Sequence, residues 1–160
     1  MLSAASAVLS IRTSFVHKHH AFRRFAVIAA ILCALPLLVQ AEAAPVMQIL
    51  GIDGEPIASG AAVSVARGAD FGTRAAGSAT EHVFTIRNTG DAVLNLMGSR
   101  RLGSSRFSTR FSTAGIKPGE THAFRVTFQP NASGVYNATL LIMADDLETF
   151  ELHLRGTATE

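Results

Sequence analysis

The sequence predicts an all-β domain: two antiparallel sheets, seven to eight strands in all, packed face to face behind a helical export leader. Three observations carry this. From Met47 onward apolar and polar residues alternate in run after run, the period of a half-buried strand. Turn signals rich in Gly, Pro, Asn and Asp separate these runs at intervals of roughly a dozen residues. Beyond Ala43 no stretch keeps helical spacing for more than two turns. Strands with one greasy and one wet face need a second layer over the greasy one, hence two sheets.

The leader comes first. Residues 1–24 hold Arg12, Lys18, Arg23 and Arg24 and no acid. "FAVIAAILCALPLLV", residues 25–39, is unbroken by charge, and Ala41-Glu42-Ala43 supplies small residues for a cleavage site. Basic, apolar and Ala-x-Ala regions in that order read as a signal peptide over 1–43, with the domain in 44–160. A bilayer span needs about 20 apolar residues, so an N-terminal membrane anchor is the alternative that holds if the leader stays uncleaved. Cys33 follows Leu32 rather than a small residue, against a lipid-attachment site, and Arg23-Arg24 reads as part of an ordinary basic region. Four of the 14 Lys+Arg and one of the 12 Asp+Glu lie in the leader, leaving 10 basic and 11 acidic residues, net −1. The basic character of the whole chain therefore gives no argument for nucleic acid. The single cysteine leaves with the leader, so the domain must be stable by packing, without disulfides.

Along the domain, "VMQILGIDGEPIASG" reads as a short strand and a turn, and "AAVSVA" (61–66) as another short strand. "RGADFGTRAAGSAT" (67–80) reads as a Gly-rich loop with one large apolar residue, Phe71. In "HVFTIRN" Phe84 and Ile86 share a face, and in "AVLNLMG" Leu94 and Leu96 do. "RRLGSSRFSTRFSTAG" alternates irregularly, with Phe107 and Phe111 four apart. Phe124, Val126 and Phe128 point one way in "KPGETHAFRVTFQP". Tyr136, Ala138, Leu140 and Ile142 share a face of "VYNATLLIMADD", and Phe150, Leu152 and Leu154 oppose Glu151, His153 and Arg155 in the last run.

"DFG" (70–72), "FTIRNTG" (84–90), "LNL" (94–96), "KPGETHAFRVTFQP" (117–130), "ASGVYNATLLI" (132–142) and "FELHLRGTA" (150–158) stand in order. Together they resemble the ASPM-SPD2-Hydin (ASH) type of domain, whose bacterial form is called choice-of-anchor D, over about residues 47–158. The resemblance implies an immunoglobulin-like sandwich that serves as a binding or spacer module, and it brings no catalytic residues. Relatives sit as repeats in larger surface proteins with a sorting tail. This chain has one copy and ends at Glu160 without a hydrophobic tail, so it is expected to be free after export. The motif residues have folding roles. Asn88 and Gly90 reverse the chain, with Gly90 expected at positive φ. Pro118-Gly119 makes a turn, Pro130 ends a strand and Gly134 opens a hairpin. Phe71 is expected to plug one end of the sandwich.

No nucleophile–base–acid pattern or metal-ligand spacing appears, so the sequence predicts a protein that is not an enzyme and takes no cofactor or metal. His82, His122 and His153 read as strand residues, the first two near strand starts. Asp145, Asp146 and Glu148 lack the ligand spacing of a calcium loop and read as a solvated turn. Asn131-Ala132-Ser133 and Asn137-Ala138-Thr139 match glycosylation sequons but read as turn and strand residues in a bacterial protein. Arg100, Arg101, Arg106 and Arg110 form the one local basic cluster, the candidate patch for a protein or glycan partner. The expected role is binding or scaffolding in the periplasm or outside the cell. The alternative is an assembly factor that acts by adding a strand at a sheet edge.

Overall fold

The computed structural model describes residues 42–160. The predicted leader helix lies outside the described residues. Ten strands follow one another: β1 (Met47–Leu50), β2 (Pro56–Ile57), β3 (Asp70–Ala75), β4 (Thr80–Asn88), β5 (Leu94–Gly103), β6 (Phe107–Arg110), β7 (Gly115–Ile116), β8 (Thr121–Phe128), β9 (Gly134–Ala144) and β10 (Phe150–Thr159). β2 and β7 have two residues each; the other eight match the expected strand number. One sheet runs β2-β1-β4-β8-β6, the other β3-β10-β9-β5-β7. The fold is an immunoglobulin-like β-sandwich.

The alternating runs bury the faces expected of them. Phe84, Ile86, Leu94, Leu96, Phe124, Val126, Phe128, Leu140, Ile142, Leu152 and Leu154 are all buried. An aromatic cluster joins the two sheets at one end. The Phe107 and Phe128 rings stack at 4.7 Å, and Phe71 meets them at 5.5 and 5.8 Å. Phe71 thus closes that end, as expected, and the His82 ring stacks on it at 4.2 Å. Such pairs add to the burial term because ring edges and faces are electrostatically complementary.

Three expectations are corrected. Residues 67–80 are not a loop throughout: β3 lies within them and pairs parallel with β10, so the second sheet is mixed. Residues 61–66 form no strand. The Ser64 carbonyl accepts from the N–H groups of Ala69 and Asp70 at 3.0 and 3.1 Å, which closes a turn where a ladder was expected, and Ala61 and Val63 pack on the core. Gly90 does not take positive φ. It is needed for closeness, because a Cβ there would collide with the Ala44 carbonyl and lie 2.5 Å from the Val46 nitrogen. The residues entering the domain are laid against that turn.

Candidate functional site

The local run of arginines is dispersed by the fold. Cross-strand partners share a face of a sheet. Arg100 is opposite Leu141, which alternates with buried Leu140 and Ile142, so Arg100 lies on the outer face of the second sheet. Arg101 is opposite Leu140 and is on the core side, at the exposed rim, where its Nη1 donates to the Gly103 carbonyl at 3.0 Å. Arg110 is opposite Arg125, between buried Phe124 and Val126, and lies on the outer face of the first sheet. Arg100 and Arg110 therefore point away from each other on opposite sides of the sandwich. Arg106 is half-buried in the turn between β5 and β6 and lines a polar cleft of about 270 Å³ with Ser105, Ser108, Gln129 and Asn131.

The structure makes a different basic surface instead. Arg110 and Arg125 are direct cross-strand neighbours with side chains on one face. Like charges so placed repel each other. Glu81 lies diagonally across on β4, its Oε1 3.6 Å from Arg125 Nε, and offsets one of the two charges. Ser108 and Thr127 form the next row, leading to the Arg106 cleft. The track along β6 is thus Arg106, Ser108, Arg110, with Arg125 beside its end. Arg125 was missed in the sequence because it belongs to another strand; its phase with Phe124 and Val126 was the available signal.

The remaining predicted residues have structural places. Asn88 is the one buried polar side chain among the described residues. Its Nδ2 donates to the carbonyls of Ala92 and Ile116 at 2.7 and 2.9 Å, and its Oδ1 accepts from the N–H groups of Val46 and Gly90 at 3.3 and 3.0 Å. Gly119 takes φ +79° in a turn closed by the Glu120 N–H to the Lys117 carbonyl at 3.0 Å, with Pro118 ahead of it. Pro130 follows the end of β8, and Gly134 is the first residue of β9.

Each histidine is held by a local contact. His82 donates from Nδ1 to the Gly68 carbonyl at 2.7 Å, which fixes its tautomer. His122 shares a hydrogen bond with Ser112, and His153 with its cross-strand partner Thr139. At the β9–β10 turn Asp146 sits at φ +57°. Among the described residues no three of His, Cys, Asp and Glu converge as a metal site would require. A second cleft, about 340 Å³, is lined by Pro45, Val46, Met47, Leu147 and Phe150 among others. No titratable pair lies in it.

Comparison with known proteins agrees with this architecture. A family model described as HYDIN/CFA65/VesB-like, Ig-like domain matches residues 61–157. The ASH / PapD-like domain 7 of human CEP192 superposes with TM-score 0.53 at 13% identity, over 71% of this chain and 85% of that one. A protein of unknown function from Porphyromonas gingivalis W83 superposes with TM-score 0.50 at 18% identity, over 72% of this chain. The chain spans about half, 47%, of that protein. At these identities the likeness is one of fold. A sequence comparison with curated proteins finds no match.

Proposed function

The chain belongs to the HYDIN/CFA65/VesB-like family of Ig-like domains, and from that premise we propose that it is an exported, non-enzymatic binding or scaffolding module. An ASH-type sandwich fits binding or scaffolding. The observation that carries the reading is how its polar groups are distributed. Asn88 and the three histidines are engaged in holding turns, strands and one aromatic ring. Among the groups that reach solvent, Arg110 and Arg125 share a sheet face beside half-buried Arg106 and its neighbouring hydroxyls and amides, a chemistry suited to recognition.

Export rests on the leader in the sequence, and the partner class is a protein or a glycan. The test is to express the full chain with a C-terminal tag in a Gram-negative host, fractionate the cells and weigh the product. A product starting at Ala44 in the periplasm or medium, with a stoichiometric companion, is the expected result. An uncleaved chain in the membrane fraction would make the leader an anchor and the sandwich a tethered domain. Turnover of hydrolase substrates by the purified protein would overturn the non-enzymatic reading.

The free edge of β6 favours a second, related reading, an assembly factor that receives a strand from an exported client. It predicts a companion that protects β6 from exchange with solvent, whereas a companion held elsewhere leaves β6 unprotected.

A further inference from the structure

We propose that the outer edge of β6 is a docking site for an extended acidic peptide segment, one that carries a carboxylate at every second position. The inference rests on the binding-module reading and gives its partner a chemistry. It starts from hydrogen-bond parity. In an antiparallel pair, opposed residues alternate between those that bond each other and those that do not. The Gln129 N–H donates to the Arg106 carbonyl at 2.8 Å, and the register places Phe107 opposite Phe128. The bonded pairs along β6 are therefore 106/129, 108/127 and 110/125. Phe107 and Thr109 are the non-bonded positions, and their N–H and C=O groups point away from β8, off the end of the sheet. Among the described residues, the one backbone bond to that side is the Phe107 N–H to the Ser104 carbonyl, at 3.5 Å. The N–H and C=O of Thr109 are left as a donor and acceptor pair for a sixth strand.

The edges of β2, β3 and β7 and the outer half of β5 carry devices that discourage such pairing. β2 is two residues long and contains Pro56, and β7 is also two residues long. β3 has Gly72 at φ +66° and a register shift against β10. The outer half of β5 has a register shift at Leu96/Gly98 and a core-side arginine, Arg101. β6 has neither proline, glycine nor bulge.

Charge selects the occupant. A strand that bonds Thr109 places its flanking residues on the outer face, beside Ser108 and Arg110. A carboxylate there meets Arg110, the member of the Arg110–Arg125 pair that Glu81 does not offset. Two residues further along the incoming strand a second carboxylate lies beside the Ser108 hydroxyl, and two further again a third comes opposite Arg106 and its cleft. Backbone pairing at Thr109 supplies the register, and the arginines supply the preference for acid.

The probes are a heptapeptide alternating glutamate and valine, its lysine counterpart and a sulfated polysaccharide, each titrated into the purified full-length protein. The glutamate peptide should bind and the lysine peptide should not. Thr109→Pro removes the outward N–H, a change an edge strand tolerates because that group makes no ladder bond. It should weaken peptide binding about tenfold or more, as the loss of one hydrogen-bonded register point implies. Arg110→Glu should abolish it. In the wild-type protein the Thr109 amide should gain protection from hydrogen exchange when the peptide is added, a readout that does not depend on how either variant folds. Equal binding by Thr109→Pro and wild type, an unprotected Thr109 amide, or binding of the polysaccharide in place of the peptide would overturn the proposal. If a companion of the exported protein is held equally well by both variants, the β6 site falls and the binding-module reading stands.

Discussion

Asn88 ties the entering segment and the turn after β4 to β7, which pairs in the other sheet. One amide group serves the entering segment at Val46, the turn at Gly90 and Ala92, and β7 at Ile116. It is buried, so each partner it leaves would stay without water. Asn88→Ala should lower unfolding free energy by about 2–3 kcal/mol, since a buried group left unpaired costs about 1–3 kcal/mol. Asn88→Asp should be worse, because a carboxylate oxygen would face the Ala92 and Ile116 carbonyls. Urea unfolding decides; a loss under about 1 kcal/mol for Asn88→Ala would refute the network. Gly156 is a second residue whose identity is set by a neighbour. A Cβ there would come within 2.5 Å of Phe128 Cε1 and press on the stacked Phe107–Phe128 pair. Gly156→Ala should cost about 1–3 kcal/mol by overpacking. Most of that cost should vanish in a Phe128→Leu background, and strict additivity of the two changes would exclude this explanation. The sequence marked Asn88 and Gly90 as turn residues, which they are. It could not show that two of the four partners of Asn88, Val46 and Ile116, are far along the chain, or that Gly90 is small to let Ala44 and Val46 approach.

At the scale of single elements, legibility followed the regularity of alternation. β4, β8, β9 and β10 keep period two from end to end, and their buried faces were read correctly. β5 does not. The bulge between Leu96 and Gly98 moves the core-facing phase from even to odd positions, so Arg101 lies on the core side, where the phase of Leu94 and Leu96 would have put it outside. β3 was missed for another reason. Its partner is the last strand, its one deeply buried residue is Phe71, and Gly72 interrupts it. Such a strand is made by its neighbour and has little local signal. The four arginines were spread by the same logic: closeness in sequence across a bulge and a turn put Arg100 and Arg110 on opposite faces, while pairing across strands joined Arg110 to Arg125. That pairing has a measurable consequence. Arg110→Glu turns a repulsive cross-strand pair into an attractive one and should stabilise the domain by roughly 0.2–1 kcal/mol at low ionic strength. The gain should shrink as salt approaches about 1 M, where screening reaches about 3 Å. A destabilised Arg110→Glu protein at low salt would mean that the two arginines do not share a face. A residue that lowers stability on an open edge is what a binding site predicts, and the same variant tests both sides of that trade.

For the whole molecule, the order of strands in the second sheet matters more than any single contact. β10 is the last strand in the chain and lies between β3 and β9. It contributes Phe150, Leu152, Leu154 and Ala158 to the core. β3 has β10 as its one strand partner among the described residues, so β3 and the aromatic cluster around Phe71 are expected to close late. A sandwich dominated by such distant pairings folds slowly, on the order of milliseconds to seconds, because loop closure must precede the contacts that reward it. Ending the chain at Thr149 should therefore leave no cooperative unfolding transition at all, although most strands remain. The intact chain should refold in a single slow phase with the Arg74 and Ala76 amides, whose N–H groups face β10, among the last protected. Thermal melting of the truncated chain and pulsed hydrogen exchange on the intact one check the two halves. A cooperative melt without β10 would show that the first sheet and β9 hold a core of their own. If the transition is lost, the domain stays unfolded until β10 is available to both β3 and β9.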